Sequence, residues 1–255
     1  MDLSIVIPAR NEAPNIAPLV AEIRAALDGV ADYEIIYIDD GSSDTTGETI
    51  RGLMSGFPRL RLLVHAKSCG QSTAVRTGIG AAKGAWIATL DADGQNDPAD
   101  LPRLWDIARS ARPDEKLLVA GYRQKRRDTV VKRLSSRIAN AVRSRMLQDS
   151  TLDTGCGLKL IRRDLYLALP YFDHNHRFLP ALVIRAGGRV QSVADNHRPR
   201  QRGVSNYGLF DRVWVGIVDL FGVMWLMRRA NIPAVVEVAA TETTTPRRTV
   251  TASHA

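Results

Sequence analysis

TLDADGQNDP, residues 89–98, places two carboxylates one residue apart directly after a short apolar run. The run, WIATL, has the length and composition of a buried strand that ends at the acidic residues. A simple turn is the alternative interpretation, because Asp, Gly and Asn are common turn residues and Asp97 before Pro98 is typical of a helix start. In open α/β sheets, however, ligands bind beyond the carboxyl ends of strands, where this cluster falls.

The acidic cluster has the chemistry of a cation site. Two carboxylates so close together repel each other unless a cation lies between them, and an all-oxygen ligand set suits Mg²⁺ or Mn²⁺ better than zinc. Such cations usually complete their coordination with phosphate oxygens. The sequence therefore predicts a metal–diphosphate site whose ligands are Asp91, Asp93 and Gln95.

Strands alternate with helical segments through the first half of the chain. Apolar runs predict strands at residues 3–8, 33–39, 60–65, 86–90 and 116–123, with residues 189–200 as a further candidate. Helical periodicity predicts helices at about residues 15–27, from the DDGSSD turn to about 54, and at 72–82. This order predicts an α/β fold with a largely parallel sheet covered by helices.

Composition excludes several classes of protein. At 255 residues with 45% hydrophobic residues, the chain is expected to form one domain with appendages. Cys69 and Cys156 form no CxxC motif, so neither a disulfide framework nor a zinc site is indicated. The amino terminus lacks the pattern of a secretory signal, which favours the cytoplasm. No GxGxxG or Walker loop follows a strand, which disfavours dinucleotide oxidoreductases and P-loop NTPases.

Two further polar motifs end predicted strands. PARNE (residues 8–12) follows the first strand, and DDGSSD (residues 39–44) follows the second. Each alone is weak, because such turns and caps are frequent. Together at one sheet edge, they would supply groups for ribose hydroxyls and base N–H groups beside the metal–diphosphate site.

The net charge of +8 lies in one segment. Residues 122–147 hold nine basic residues (Arg123, Lys125, Arg126, Arg127, Lys132, Arg133, Arg137, Arg143 and Arg145) and one acid, Asp128. Apolar residues recur there at helical spacing, so the segment has the pattern of a basic amphipathic helix, with a solvated surface helix as the alternative. This distribution predicts an anionic partner at one place.

The series SIVIPARNE, EIIYIDDGSSDTT, TLDADGQNDP, GYR and RQRGVSNYG resembles the family 2 glycosyltransferases, and most closely their dolichyl- and polyprenyl-phosphate group. The resemblance covers about residues 2–208. It implies a Rossmann-like GT-A fold (a mostly parallel mixed sheet flanked by helices) and an inverting, metal-dependent transfer from a UDP- or GDP-linked sugar to a polyprenyl phosphate. Arg10 stands where eukaryotic relatives have Tyr, and Asn206 where a GxSK motif would have Lys.

The resemblance also implies roles for individual residues. Asp93 and Arg123 would be catalytic, Asp93 by organising metal and diphosphate rather than by accepting a proton. The acceptor phosphate would be held by Lys132, Arg133, Ser136 and Arg137. The donor would be held by Pro8, Arg10, Glu12, Ile38, Asp40, Asp91, Ala92, Asp93, Arg123 and Arg200.

The carboxyl-terminal part divides into two segments after the domain at residues 1–208. Residues 213–227 are apolar except for Asp219. This run is too short to cross a membrane, because a membrane-spanning helix needs about 20 apolar residues. The arginines that follow and the tryptophans within the run favour an interfacial helix within an apolar interfacial or docking segment at 209–240, with packing on its own domain as the alternative. Residues 241–255 have the composition of a disordered tail.

The combined expectation is a peripheral enzyme on the inner face of the cell membrane, with or without a small membrane protein partner. Two alternatives stay open: a soluble family 2 glycosyltransferase acting on a saccharide or protein, and a nonenzymatic nucleic-acid-binding protein. The second leaves the acidic cluster unexplained and shows no RNA-binding motif, so no nucleic-acid partner is expected. HRFLP (residues 176–180) is implied to lie near the sugar pocket, whereas a metal pair of His174 and His176 is disfavoured because no third ligand is nearby.

Overall fold

The computed structural model describes residues 1–123, 143–147, 149, 151–199 and 210–231, and for 210–215 the backbone alone. Its centre is a seven-stranded sheet in the order β3-β2-β1-β4-β6-β5-β7. The strands are β1 Leu3–Ala9, β2 Tyr33–Asp39, β3 Leu60–Val64, β4 Trp86–Thr89, β5 Leu117–Arg123, β6 Lys159–Arg162 and β7 Arg189–Asp195. The helices are α1 Ala13–Leu27, α2 Thr46–Met54, α3 Gln71–Ala81, α4 Leu101–Arg109, α5 Arg163–Ala168, α6 Leu179–Arg185 and α7 Phe210–Arg228.

Helices cover both faces of the sheet, and this explains the continuous apolar strands. Alternate residues of β1 point to opposite faces, so Ile5 packs with α1 and α4 while Val6 packs with α3 and α6. A strand that is buried on both sides has no face toward solvent, and this is why β2 is mostly apolar, with Glu34 as the charged residue within the run.

The sheet is mostly parallel but mixed, as predicted. β1 pairs in parallel with β2 and β4, and β5 pairs in parallel with β7. β6 lies between the two parallel groups and is antiparallel to both neighbours, with Ile87 opposite Ile161. The sequence pattern of β6 was not recognised as a strand, because four residues with a charge at each end carry too little periodicity.

Helix α7 packs on the domain along one side only. Val223 is buried, the Arg185 Nε donates to the carbonyl of Leu226 at 2.8 Å, and the His174 Nδ1 lies 3.3 Å from an Asp219 oxygen. The opposite side of α7 exposes large apolar residues, namely Ile217, Val218, Phe221 and Trp225. One face of α7 therefore packs on its own domain. Among the described residues, no helix is long and apolar enough to cross a membrane.

Candidate active site

The first two strand-to-helix loops interlock at the carboxyl edge of the sheet. The Asn11 side-chain oxygen accepts a hydrogen bond from the Ser43 N–H at 2.8 Å, and the Asn11 N–H donates to the Ser42 Oγ at 3.0 Å. The Glu12 N–H donates to the Thr46 Oγ1 at 2.9 Å. Asn11 has a φ of 56°, a conformation that Asn tolerates better than most residues. The structure thus brings PARNE and DDGSSD together, as expected from their positions after β1 and β2.

Asp40 connects the β2 loop to the loop that precedes α3. Its carboxylate accepts hydrogen bonds from the Ser68 Oγ at 2.8 Å and from the Cys69 and Gly70 N–H groups at 2.8 and 2.9 Å. His65 Nδ1 lies 2.7 Å from the same carboxylate. Burial alone would raise the pKa of Asp40, but these hydrogen bonds lower it, so the carboxylate is charged. Asp40 therefore fixes the loop beside the predicted nucleoside site.

Asp91 follows β4 at the carboxyl edge of the sheet. Its Oδ1 accepts a hydrogen bond from the Gln71 Nε2 at 2.9 Å, which orients the carboxylate. Burial, and secondly the charge of Asp93, raise the pKa of Asp91 to about 6. The two carboxylates are therefore close enough to repel each other, as predicted from their spacing.

The backbone behind Asp91 leaves no room for another side chain. A Cβ placed on Gly157 would meet the Asp91 Oδ2, and would lie 2.8 Å from the Asn96 Oδ1. The Asn96 amide nitrogen donates to Asp195 at 3.0 Å, and the Cys156 Sγ lies 3.3 Å from the same carboxylate oxygen. Burial raises the pKa of Cys156 to about 12, so this thiol is a packed polar group rather than a nucleophile.

Arg123, at the end of β5, is held by Asp153. The Arg123 Nε and Nη2 donate to the two oxygens of Asp153 at 2.6 and 2.8 Å. The Gly155 N–H also donates to Asp153 at 3.1 Å, so the carboxylate organises the turn before β6 as well. The described contacts of Asp153 thus orient an arginine and a turn.

A cavity of about 300 Å³ opens beside Asp91. Its polar lining includes Gln71, Lys159, His176 and Arg177, and Leu179 and Val75 supply apolar walls. The Ser72 Oγ and the His176 Nδ1 are 2.7 Å apart, and burial lowers the pKa of His176 well below its usual value. This imidazole is therefore neutral at physiological pH.

The residues at Asp91 fit a divalent cation. Burial, and secondly the charge of Asp93, raise the pKa of Asp91, and a cation would stabilise the charged form. Carboxylate oxygens are the ligands that Mg²⁺ and Mn²⁺ prefer. Gln95 lies two residues beyond Asp93, whose Oδ1 accepts the Gln95 N–H at 3.0 Å. The Gln95 amide nitrogen donates to the carbonyl of Arg198 at 3.4 Å, which leaves the amide oxygen as the ligand atom it can offer.

The predicted donor residues occupy three environments. Pro8 borders the cavity, Arg10 is exposed, and Glu12 is buried and accepts from the Asn15 amide at 2.6 Å. Ile38 and Ala92 are buried, so either could contact a ligand only through its backbone. Four predicted acceptor residues and one donor residue lie outside the described part of the chain: Lys132, Arg133, Ser136, Arg137 and Arg200. The tail at 241–255 also lies outside it.

The structure corrects one detail of the sequence interpretation and gives the partners of two histidines. Arg143, counted in the basic segment, is buried and pairs with Asp149 at 2.5 Å, so it supports the fold and offers no charge to a partner. His174 and His176 have different partners, Asp219 and Ser72, as expected if they do not form a metal pair.

Three polar residues around the acidic cluster were not predicted from the sequence. Gln71 at the start of α3 and Lys159 at the start of β6 border the cavity, and Arg198 lies beside Asp93 at a second, smaller cavity. Arg198 pairs with Glu22 of α1 at 2.7 Å. For Lys159, its position at the end of the glycine-containing polar stretch DTGCGLK (residues 153–159) was a usable signal. For the other two, no local pattern exists, because their positions depend on tertiary packing.

Comparisons with known proteins agree with this geometry. The Glycosyl transferase family 2 model matches residues 4–169. Dodecaprenyl-phosphate galacturonate synthase from Rhizobium johnstonii is 35% identical over 234 residues, covering 89% of this chain and 68% of that protein. Undecaprenyl-phosphate 4-deoxy-4-formamido-L-arabinose transferase from Edwardsiella ictaluri is 33% identical over 210 residues, covering 81% of this chain. The chain spans 63% of the length of this second relative.

Solved structures share the architecture. Glucosyl-3-phosphoglycerate synthase from Mycobacterium tuberculosis, in complex with Mn²⁺, UDP-glucose and glycerol 3-phosphate, is 22% identical with a TM-score of 0.62, covering 91% of this chain and 81% of that one. Mannosyltransferase PcManGT from Pyrobaculum calidifontis, in complex with GDP-Man and Mn²⁺, is 20% identical with a TM-score of 0.63, covering 91% and 65%. These likenesses confirm the predicted GT-A fold.

Proposed function

The chain belongs to glycosyl transferase family 2, and on that premise we propose that it transfers a sugar from a UDP- or GDP-linked donor to a polyprenyl phosphate, with inversion and with a divalent cation. The observation that carries the proposal is the repelling pair Asp91 and Asp93 beside a cavity at the carboxyl edge of the sheet. The acceptor is supported by the names of both relatives, each a transferase or synthase of a polyprenyl-phosphate product.

In the proposed reaction, a phosphate oxygen of the lipid attacks the anomeric carbon of the donor sugar. The bond from that carbon to the nucleotide diphosphate breaks, and the nucleoside diphosphate leaves with the bonding electrons. A divalent cation held by Asp91, Asp93 and Gln95 would stabilise the charge that develops on this leaving group. Arg123, oriented by Asp153, would add a second positive charge near the phosphates.

The proposed reaction needs no general base. A phosphate monoester has a second pKa near 6, so at neutral pH the acceptor is largely a dianion and already a nucleophile. The enzyme must instead hold this dianion against the negative charge of the donor diphosphate. Lys132, Arg133, Ser136 and Arg137 are proposed for that role because they lie in the basic segment.

We also propose that the enzyme works as a peripheral protein on the cytoplasmic face of a membrane. Support comes from α7, whose outer face exposes Val218 at 55%, Phe221 at 55% and Trp225 at 59%. Arg229 lies over the Trp225 ring at 5.8 Å, so a basic group accompanies the apolar stripe. Exposed aromatic and basic residues on one helix face suit the interface of an anionic bilayer. A small membrane protein could cover the same face.

The experiment that tests the function supplies purified protein with a set of nucleotide sugars, Mn²⁺ or Mg²⁺ and undecaprenyl phosphate, and follows label into the lipid phase. Undecaprenol serves as the matched acceptor, since it lacks only the phosphate. Transfer to the phosphate and not to the alcohol is the expected result. Transfer to a water-soluble saccharide or a protein, with none to the lipid, would contradict the proposal and favour the soluble alternative.

A further inference from the structure

We propose that the cavity beside Asp91 selects a donor whose sugar carries a carboxylate, with Lys159 as the residue that recognises it. The inference rests on the proposed function and narrows its substrate class to nucleoside-diphosphate uronic acids. The names of the two relatives do not decide this point, because one names galacturonate and the other a formamido-arabinose.

Lys159 is a buried basic residue that reaches the cavity wall. It begins β6, where it lies opposite Thr89 of β4, and is only 4% exposed. Its ammonium donates to the carbonyl of Cys156, which uses one of its three protons. No second acceptor lies within hydrogen-bond distance among the described residues. An ammonium group is rarely buried without an anionic partner, so the site calls for one.

The nearby carboxylates are committed elsewhere in the proposed complex. Burial lowers the pKa of Lys159, while the charges of Asp91 and Asp153 act in the opposite direction and favour its charged form. Asp91 is a proposed cation ligand, and Asp153 holds Arg123 through both of its oxygens. Once a cation neutralises Asp91, Lys159 loses much of its compensating charge. An anionic group on the ligand would replace it.

The rest of the polar lining is rich in hydrogen-bond donors. The Ser72 Oγ accepts the His176 backbone N–H at 3.4 Å, so its own proton is available to the His176 Nδ1 at 2.7 Å. With the Ser72 proton donated to the His176 Nδ1, the Nε2 carries the ring proton and acts as a donor. Arg177 also borders the cavity. Among the described residues, the charged groups that line it apart from Asp91 are basic, which suits a carboxylate better than a neutral hydroxymethyl group.

The position of Lys159 allows a contact with the donor sugar. Lys159 borders the cavity beside Asp91, whereas Asp93 borders a second cavity with Glu22 and Arg198. The first cavity also has the apolar walls Leu90 and Leu179, which suit the faces of a sugar ring. Its volume of about 300 Å³ lies at the lower end of the range for small-molecule sites.

The test compares donor pairs that differ only at C6. Calorimetry with Mn²⁺ measures the Kd of UDP-galacturonate against UDP-galactose, UDP-glucuronate against UDP-glucose, and GDP-mannuronate against GDP-mannose. We expect at least one uronate to bind about tenfold or more tightly than its neutral partner, the factor that corresponds to about 1.4 kcal/mol. UDP and GDP alone report the diphosphate contribution.

Variants assign that preference to Lys159. Lys159→Met should abolish the preference while leaving the Kd of the nucleoside diphosphate within about twofold, and Lys159→Arg should retain part of it. Lys116→Met is the matched control, because the exposed Lys116 also donates to a backbone carbonyl, that of Ala186. If the Lys159→Met variant shows no cooperative melting transition, the Lys159→Gln variant is tested in its place.

The outcomes separate this inference from the proposed function. Neutral sugars that bind as tightly as their uronates in the wild-type protein would overturn the inference and leave the function standing. An equal loss of nucleoside diphosphate affinity in Lys159→Met would also overturn it, since Lys159 would then be a diphosphate ligand. If folded wild-type protein binds no member of any pair and no free nucleoside diphosphate, the proposed function fails as well.

Discussion

Asp153 accepts two hydrogen bonds from Arg123, one from Nε to Oδ2 at 2.6 Å and one from Nη2 to Oδ1 at 2.8 Å. Such a fork-to-fork pair fixes the plane of the guanidinium group. The hydrogen bonds that Arg123 donates to Asp153 also raise the pKa of Arg123, so the arginine keeps its charge at any working pH. A carboxylate already used in this way is a poor candidate for a general base.

The first prediction concerns proton transfer. Activity should fall as the pH drops through about 6, because the lipid phosphate then gains a proton and loses nucleophilicity. This limb belongs to the substrate, so the pH–rate profiles of Asp153→Asn and His176→Ala should keep it, although Asp153→Asn should lower kcat by loosening Arg123. If either substitution abolishes chemistry while donor and lipid still bind, that residue becomes the base and the base-free account is wrong.

The second prediction concerns Gly157. Gly157→Ala should push the Asp91 carboxylate away, because the new Cβ would occupy its place. We expect weaker Mn²⁺ binding and at least about tenfold lower turnover with the fold retained by circular dichroism. Gly80→Ala in α3 is the matched control, since a Cβ there has no heavy atom within 4 Å. Normal Mn²⁺ affinity in Gly157→Ala would show that Asp91 is not a ligand.

The third prediction links catalysis to stability at Asp91. An ordinary Asp has a pKa of 3.8, and the folded, metal-free protein raises that of Asp91 to about 6. The folded state therefore binds the proton more tightly, so the free energy of unfolding falls as pH rises from about 4 to 6 and stays lower above 6. Without metal at pH 7.5, Asp91→Asn should therefore have a higher Tm than the wild type. A gain of about 1 kcal/mol in the free energy of unfolding corresponds to an increase in Tm of about 2–4 °C.

The same variant separates stability from function. Asp91→Asn and Asp93→Asn should each lower turnover by at least about a hundredfold, and EDTA should stop transfer by the wild type. Added Mn²⁺ should raise the Tm of the wild-type protein and leave that of Asp91→Asn nearly unchanged. Full activity in EDTA, or an equal Mn²⁺ shift in both proteins, would remove the metal assignment.

The fourth prediction concerns the outer face of α7. Replacing Phe221 and Trp225 by Ser should weaken flotation with anionic liposomes, because both side chains are more than half exposed and available to a bilayer. Val223→Ser, on the buried face, should instead lower the Tm. Raised salt should loosen wild-type binding by screening the basic segment. Unchanged flotation of Phe221→Ser/Trp225→Ser would show that this face does not contact lipid.

The fifth prediction concerns the acceptor. Arg133→Gln and Arg137→Gln should raise the KM for polyprenyl phosphate and lower kcat, because each removes a charge proposed to hold the dianion. The Kd of the nucleotide sugar should stay near the wild-type value. Arg145→Gln is the comparison, since Arg145 is exposed in the same basic segment but has no proposed contact. An effect confined to donor affinity would contradict the acceptor role.

The sequence allowed the parallel part of the fold to be predicted closely. Strand β2 and helix α3 lie within one residue of their predicted bounds, because apolar runs and helical periodicity are local signals. Helix α1 begins at Ala13 rather than near 15, since Pro14 fits the first turn. Strand β6 escaped prediction because its burial depends on β4 and β5 on either side.

The candidate site likewise contains residues that local sequence signals predict and residues whose contacts they do not predict. Asp91 and Asp93 could be predicted as site residues because both follow directly after the end of the same strand, β4. The contacts of Arg123 with Asp153 and of Ser72 with His176 join residues 30 and 104 positions apart, which no local pattern encodes. Arg143 misled the charge count, because its partner Asp149 lies just beyond the basic segment.

The central claim is that the bond between the anomeric carbon and the nucleotide diphosphate breaks. Mass spectrometry of a reaction with undecaprenyl phosphate, a nucleotide sugar and Mn²⁺ tests it most directly, since it reports both products. The account predicts a lipid product with one phosphate and one sugar, together with a stoichiometric amount of nucleoside diphosphate. A lipid diphosphate sugar together with nucleoside monophosphate would contradict it, because the enzyme would then transfer a sugar phosphate.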